Sequence, residues 1–169
     1  MDLHLIRLPD KAQNLLEDPA SIDGLIEQFQ NDQSRHLNLG EAWAGIHFTL
    51  TDEYPIPREE ALKRGMSWDD TSLENVLMGG LPTTYQASSV VARYLMPKHV
   101  SFLATKLSNI SIEQFEEWFD PKWLLENHIR PEIWEQVEVK QWLIKKFSRL
   151  KDFYQQAATN NEGVVIYIL

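Results

Sequence analysis

The sequence predicts an α+β fold, with about eight helical segments packed on a small sheet. Three observations lead there. Strand-like apolar runs stand near the amino end, once in the interior and at the carboxyl end. The stretches between them carry apolar residues at helical spacing. Those helices come in runs instead of alternating one for one with strands, which argues against a regular α/β arrangement. No internal repeat, low-complexity tract or long linker divides the 169 residues, so one domain over 1–169 is expected.

The first strand is read from Leu3, Leu5, Ile6 and Leu8, and Pro9-Asp10 ends it. Asp10 is placed to cap a brief helix through Leu15 and Leu16. Asp18-Pro19 starts a second helix, with Ile22, Leu25, Ile26 and Phe29 on one stripe. Asn31 to His36 is polar and reads as a loop. Asn38, with Glu41 three residues on, has the form of a capping box. It opens a helix carrying Leu39, Ala42, Trp43, Ile46 and Leu50. Gly45 interrupts that helix at a cost of about 1 kcal/mol against alanine, which implies close packing against another backbone.

Pro57 opens a short helix through Leu62 that stops near Gly65. Ser72 to Met78 is weakly helical, and Gly79-Gly80-Leu81-Pro82 reads as a turn. Ser88 to Leu95, with Val90, Val91 and Tyr94, is the internal strand. Pro97 opens a helix bearing Val100, Leu103, Ala104 and Leu107. Ser111 and Gln114 form a second box, followed by Ile112, Phe115, Trp118 and Phe119. Asp120-Pro121 restarts a helix, and Arg130-Pro131 breaks the chain. The last helix carries Val139, Trp142, Leu143, Lys146, Phe147, Leu150, Phe153, Tyr154 and Ala157 on one broad face, stopped by Asn160, Asn161 and Gly163. Val164 to Leu169 closes the chain as a buried strand tied into the sheet.

Composition excludes several functions. No cysteine is present, which removes disulfides, thiolate metal sites, iron–sulfur clusters and a cysteine nucleophile. No signal peptide or bilayer-length apolar run is visible, so a cytoplasmic protein without membrane contact is expected. A formal net charge of −9 repels phosphate backbones, so nucleic acid is not an expected partner. The same field suits a protein partner with a basic surface or a cationic ligand.

Motifs for chemistry are sparse. His4, His36, His47, His99 and His128 include no pair four apart, so no helical metal pair is formed, and no metal or cofactor is expected. Gly79-Gly80 lacks the Lys-Ser/Thr of a phosphate loop. Glu59-Glu60, Asp69-Asp70 and Glu116-Glu117 are adjacent residues, which diverge on a helix and read as surface. No catalytic residue is assigned. Candidate ligand contacts are Trp43 and His47, one helical turn apart, with Gly79, Gly80, Arg93 and Tyr94. Strand alternation sends Arg93 and Tyr94 to opposite faces; an inward Arg93 needs a carboxylate, with Glu41 and Asp120 as options. Trp118, Trp123, Trp134 and Trp142 read as core.

Four blocks carry a family likeness: Glu41 to Thr51; Met78-Gly79-Gly80 with Ala92 to Val100; Phe119-Asp120-Pro121 to Arg130-Pro131-Glu132-Ile133-Trp134; and Phe153 to Ala158 with Gly163 to Ile168. In this order they resemble the YfbM-like family, small bacterial proteins with a domain of unknown function. The resemblance implies a single α+β domain and no known reaction. Ala44 and Val91 depart from the aromatic or His, and the Gly, that the family often has at those places. Two functions of different class follow as expectations. One is a non-enzymatic binding or interaction module, of immunity or regulatory type. The other is a small-ligand binder or small enzyme with a cleft near Trp43 and His47.

Overall fold

The first and last strands meet in the middle of the sheet. In the structure, a computed structural model that describes residues 1–9, 19–66, 69–88 and 90–169, β1 (Leu3–Leu8) pairs antiparallel with β5 (Gly163–Ile168), from Leu3 opposite Ile168 to Leu8 opposite Gly163. β2 (His36–Gly40) flanks β1, β4 (Val91–Leu95) flanks β5, and β3 (Leu81–Gln86) lies beyond β4. The order β2-β1-β5-β4-β3 is antiparallel throughout. The predicted Asp10 cap and the brief helix through Leu15 and Leu16 lie outside the described residues.

The three predicted strands are present, the internal one shortened to Val91–Leu95. The two missed strands are both edges. β2 occupies the place given to a capping box and helix start. Asn38 is a strand residue whose Oδ1 accepts from the Gly40 amide, and the helix begins only at Ala42. β3 occupies the place given to a turn; Pro82 inside it is tolerated because an edge strand has a side with no ladder to fill. The pairing register breaks between Pro82 and Gln86 in β3, and between Leu3 and His4 opposite β2.

Among the described residues, one helix covers one face of the sheet. α1 (Pro19–Phe29) sets Ile22 and Ile26 against Ile6, Leu8, Ala92, Tyr94, Val165 and Tyr167. The remaining helices lie on the other side: α2 (Ala42–Thr51), α3 (Arg58–Lys63), α4 (Asn75–Met78), α5 (Pro97–Ser108), α6 (Ile112–Trp118), α7 (Pro121–Glu126) and α8 (Val137–Thr159). α8 has 23 residues and is therefore about 35 Å long. It packs on α5, α2 and β2, and buries Leu143, Phe147, Leu150 and Tyr154. The Tyr154 hydroxyl donates to the Val76 carbonyl at 2.6 Å, tying α4 to this spine.

Local signals explain several helix ends. Ser111 and Gln114 form the predicted capping box, and Asp120 Oδ1 accepts from the amides of Lys122 and Trp123. Asn161, at φ 53°, turns the chain after α8. Gly163 is not a helix stop; it starts β5, where a β-carbon would sit 2.5 Å from Tyr94 Cζ. Gly45 does mark a close approach, to a side chain instead of a backbone. A β-carbon there would fall 2.8 Å from Trp134 Cζ3, and that ring is 1% exposed with its Nε1 donating to the Ile129 carbonyl. Trp118 and Trp123, expected in the core, are each 46% exposed, because Phe115 and Leu124 fill the buried faces of their short helices.

Three histidines are held neutral by packing. His47 is buried, its pKa pushed by burial down to about 3 from 6.5. His4 Nδ1 lies 2.8 Å from His36 Nε2 with the rings stacked, and burial lowers both below 6.5. The unfolded chain therefore binds more protons than the native one below pH 6.5, and stability falls as pH falls.

Two outcomes are expected in urea unfolding. From pH 7 to pH 5, His47 alone costs about 2 kcal/mol; His47→Gln should be less stable at pH 7 but lose correspondingly less on acidification, and an equal loss would refute the linkage. Gly45→Ala should destabilise by about 1–3 kcal/mol despite its better helix propensity, because the Trp134 ring cannot yield.

Candidate functional site

Arg93 points from β4 toward the helical side, the face that Leu95 shares, while Tyr94 points toward α1. A guanidinium that is 5% exposed on its residue needs partners. It has three. Nε donates to the Gly79 carbonyl at 3.0 Å, Nη2 to the Gly80 carbonyl at 2.7 Å, and Nη1 to Glu59 Oε2 at 2.5 Å. The carboxylate comes from the first turn of α3, where the helix dipole also favours it.

The two glycines make this possible. A β-carbon at Gly79 would fall 2.6 Å from Asn75 Cα, so the chain can fold tightly off the end of α4 only without one. Gly80 has φ +94°, and a β-carbon there would meet the Tyr94 carbonyl at 2.9 Å. Asn75, 1% exposed, donates through Nδ2 to the carbonyls of Asp69 (2.7 Å) and Ser72 (3.2 Å), which holds the loop before α4.

These groups surround an open hollow of about 510 Å³. Its polar wall is Arg93, Glu59, Arg58, Asp70, Asn75 and His99; its apolar wall includes Leu62, Leu81, Pro82, Leu95 and Met96. Arg58 pairs with Asp70 at 3.1 Å, and His99 Nε2 lies 3.6 Å from the other oxygen of Asp70. Burial of Glu59 opposes its charge, but the hydrogen bond and charge of Arg93 outweigh it and hold the carboxyl below its usual 4.5.

Of the residues named from sequence, Gly79, Gly80 and Arg93 converge here. Tyr94 is buried on the opposite face of the sheet. Trp43 lies elsewhere, its Nε1 donating to the Met1 carbonyl at 3.2 Å. His47 is in the core, 1% exposed. The partner of Arg93 is neither Glu41, which sits 3.8 Å from the Met1 amino group, nor Asp120, which caps α7. It is Glu59, and the divergence expected of adjacent helical residues holds, for Glu60 turns to Arg64 at 3.0 Å. Glu59, Asp70 and His99 were not selected from sequence; the need of a buried arginine for an acid was the available signal, and only the tertiary fold says which acid. Among the described residues no group of three His, Asp or Glu is arranged to hold a metal ion, and no helix is long and apolar enough to cross a membrane.

No curated protein matches the chain. Among solved structures it is similar to YfbM from Escherichia coli, described as a protein of unknown function, with 16% identity, a TM-score of 0.67 and full coverage of both chains. That likeness establishes the α+β fold. The profile of the domain of unknown function DUF1877 matches residues 3–167, nearly the whole chain. The chain belongs to the DUF1877 family.

Proposed function

We propose that this protein binds a small molecule in the hollow beside Arg93, and that binding instead of catalysis is its role. The observation that carries the reading is the hollow itself. About 510 Å³ lies within the range of small-molecule sites, with an apolar wall facing a few convergent polar groups. The charged groups in it are engaged with one another, Glu59 with Arg93 and Asp70 with Arg58 and His99. That arrangement orients a ligand and fixes its polar end; a general base would need a lone pair aimed at substrate. The fitting ligand has an apolar body and one hydrogen-bonding or weakly charged end, since the lining balances positive against negative. The interaction-module reading draws on the net charge of −9 and on the exposed Trp118 and Trp123 rings, which lie apart from this hollow.

A thermal-shift screen of small metabolites tests the proposal, because a ligand specific for the native state raises the melting temperature by mass action. Compounds that stabilise the wild type should lose at least about tenfold in affinity in Leu81→Trp, which fills the hollow from its exposed rim, and in Arg93→Gln. Binding unchanged in a folded Leu81→Trp protein would remove the site.

A further inference from the structure

Two tryptophans are spent on the surface of this protein, and they stand together. Trp118, the last residue of α6, and Trp123, on α7, line a second hollow of about 230 Å³ with Phe48, Asp52 and Asp120. Each indole is 46% exposed, although an exposed tryptophan forfeits the burial that large rings usually provide. The Trp123 ring is held in place. Trp123 Nε1 donates to Asp52 Oδ1 at 2.6 Å, and the Phe48 ring sits 6.5 Å from it, centre to centre, tilted by 46°. Asp52 itself is fixed as the left-handed residue that ends α2, at φ 56° with its amide bonded to the Phe48 carbonyl. Asp120 is fixed by capping α7.

The hollow thus combines three aromatic rings with two carboxylates, and among the described residues no Lys, Arg or His lines it. An indole that donates its N–H to an anion is polarised toward a more negative face. Aromatic faces beside carboxylates attract organic cations, and the attraction grows when the cation carries its own apolar surface. The net charge of −9 draws such a ligand in from a distance. Thr49 Oγ1 adds a buried polar atom without a partner in the same wall.

We infer that the Trp118–Trp123 hollow is a binding site for an alkylated ammonium group. Its volume of about 230 Å³ accommodates a trimethylammonium head. This site is independent of the Arg93 hollow, so the failure of either leaves the other standing.

The test follows the indole N–H signals of ¹⁵N-labelled protein, assigned with Trp118→Phe and Trp123→Phe. Choline and a trimethyl-lysine peptide are titrated against 3,3-dimethylbutan-1-ol, the uncharged isostere of choline. A cation site gives saturable shifts at Trp118 and Trp123, with the neutral compound weaker by about fivefold or more. Asp52→Asn should weaken choline binding by a similar, about fivefold, factor; asparagine tolerates the left-handed backbone, so the fold survives. A peptide that binds about tenfold tighter than choline, one decade or about 1.4 kcal/mol, assigns the site to a protein partner; comparable affinities assign it to a free cation. Equal binding of the neutral isostere, or no shift with either cation, overturns the inference.

Discussion

The antiparallel pairing of β1 with β5 is the constraint on which the other elements depend. Both strands lie in the interior of the sheet, and alternate side chains along them go to opposite faces. The register sends Leu3, Leu5, Val164 and Ile166 into the core on the side of α2 to α8, and Ile6, Leu8, Val165 and Tyr167 toward α1. A slip of one residue would exchange the two sets. The same pairing delivers Glu162 to the end of β1. There it lies 2.7 Å from Arg35 and 3.4 Å from Arg7, an ion cluster that joins the loops before β2 and β5.

Arg93 inherits its position from that pairing. It sits opposite Ile166 of β5, which fixes where on the sheet a charge must be accommodated. A buried guanidinium costs several kcal/mol unless its donors are met. Two carbonyls and a carboxylate meet them, and bringing those carbonyls close is what requires two consecutive glycines. The hollow opens beside that charge, where the short helices α3 and α4 leave the end of β4 uncovered.

Much of the fold was legible because local chemistry and tertiary demand agree. Ser111 and Gln114, Asp120-Pro121, Pro97 and the broad apolar face of α8 all act as their residue types suggest. β2 was hidden because Leu37 and Leu39 alternate over only five residues, and the polar residues between them also spell a helix cap. β3 was hidden because Pro82 and its neighbours carry turn chemistry, and an edge strand makes little demand on them. At the site, Gly79 and Gly80 were legible as a turn, and Arg93 as a strand charge that needs an acid if it points inward. Glu59, Asp70 and His99 were not, since nothing local separates an acid that meets an arginine across the fold from one that meets water. Trp43 and His47 share a helix, but the indole reaches Met1 while the imidazole enters the core.

Both margins of the sheet are interrupted. On β3, Pro82 withholds an amide and the register breaks before Gln86; on β2, the strand is five residues long and Lys146 donates to the Asn38 carbonyl at 3.0 Å. A flat, unbroken margin is a template on which a second chain can add a strand and begin an ordered aggregate. Here the template is spoiled at each side by a different device. The chain can thus concentrate its β-branched residues in β5, where both sides are already occupied, without offering an aggregation seed to its own copies.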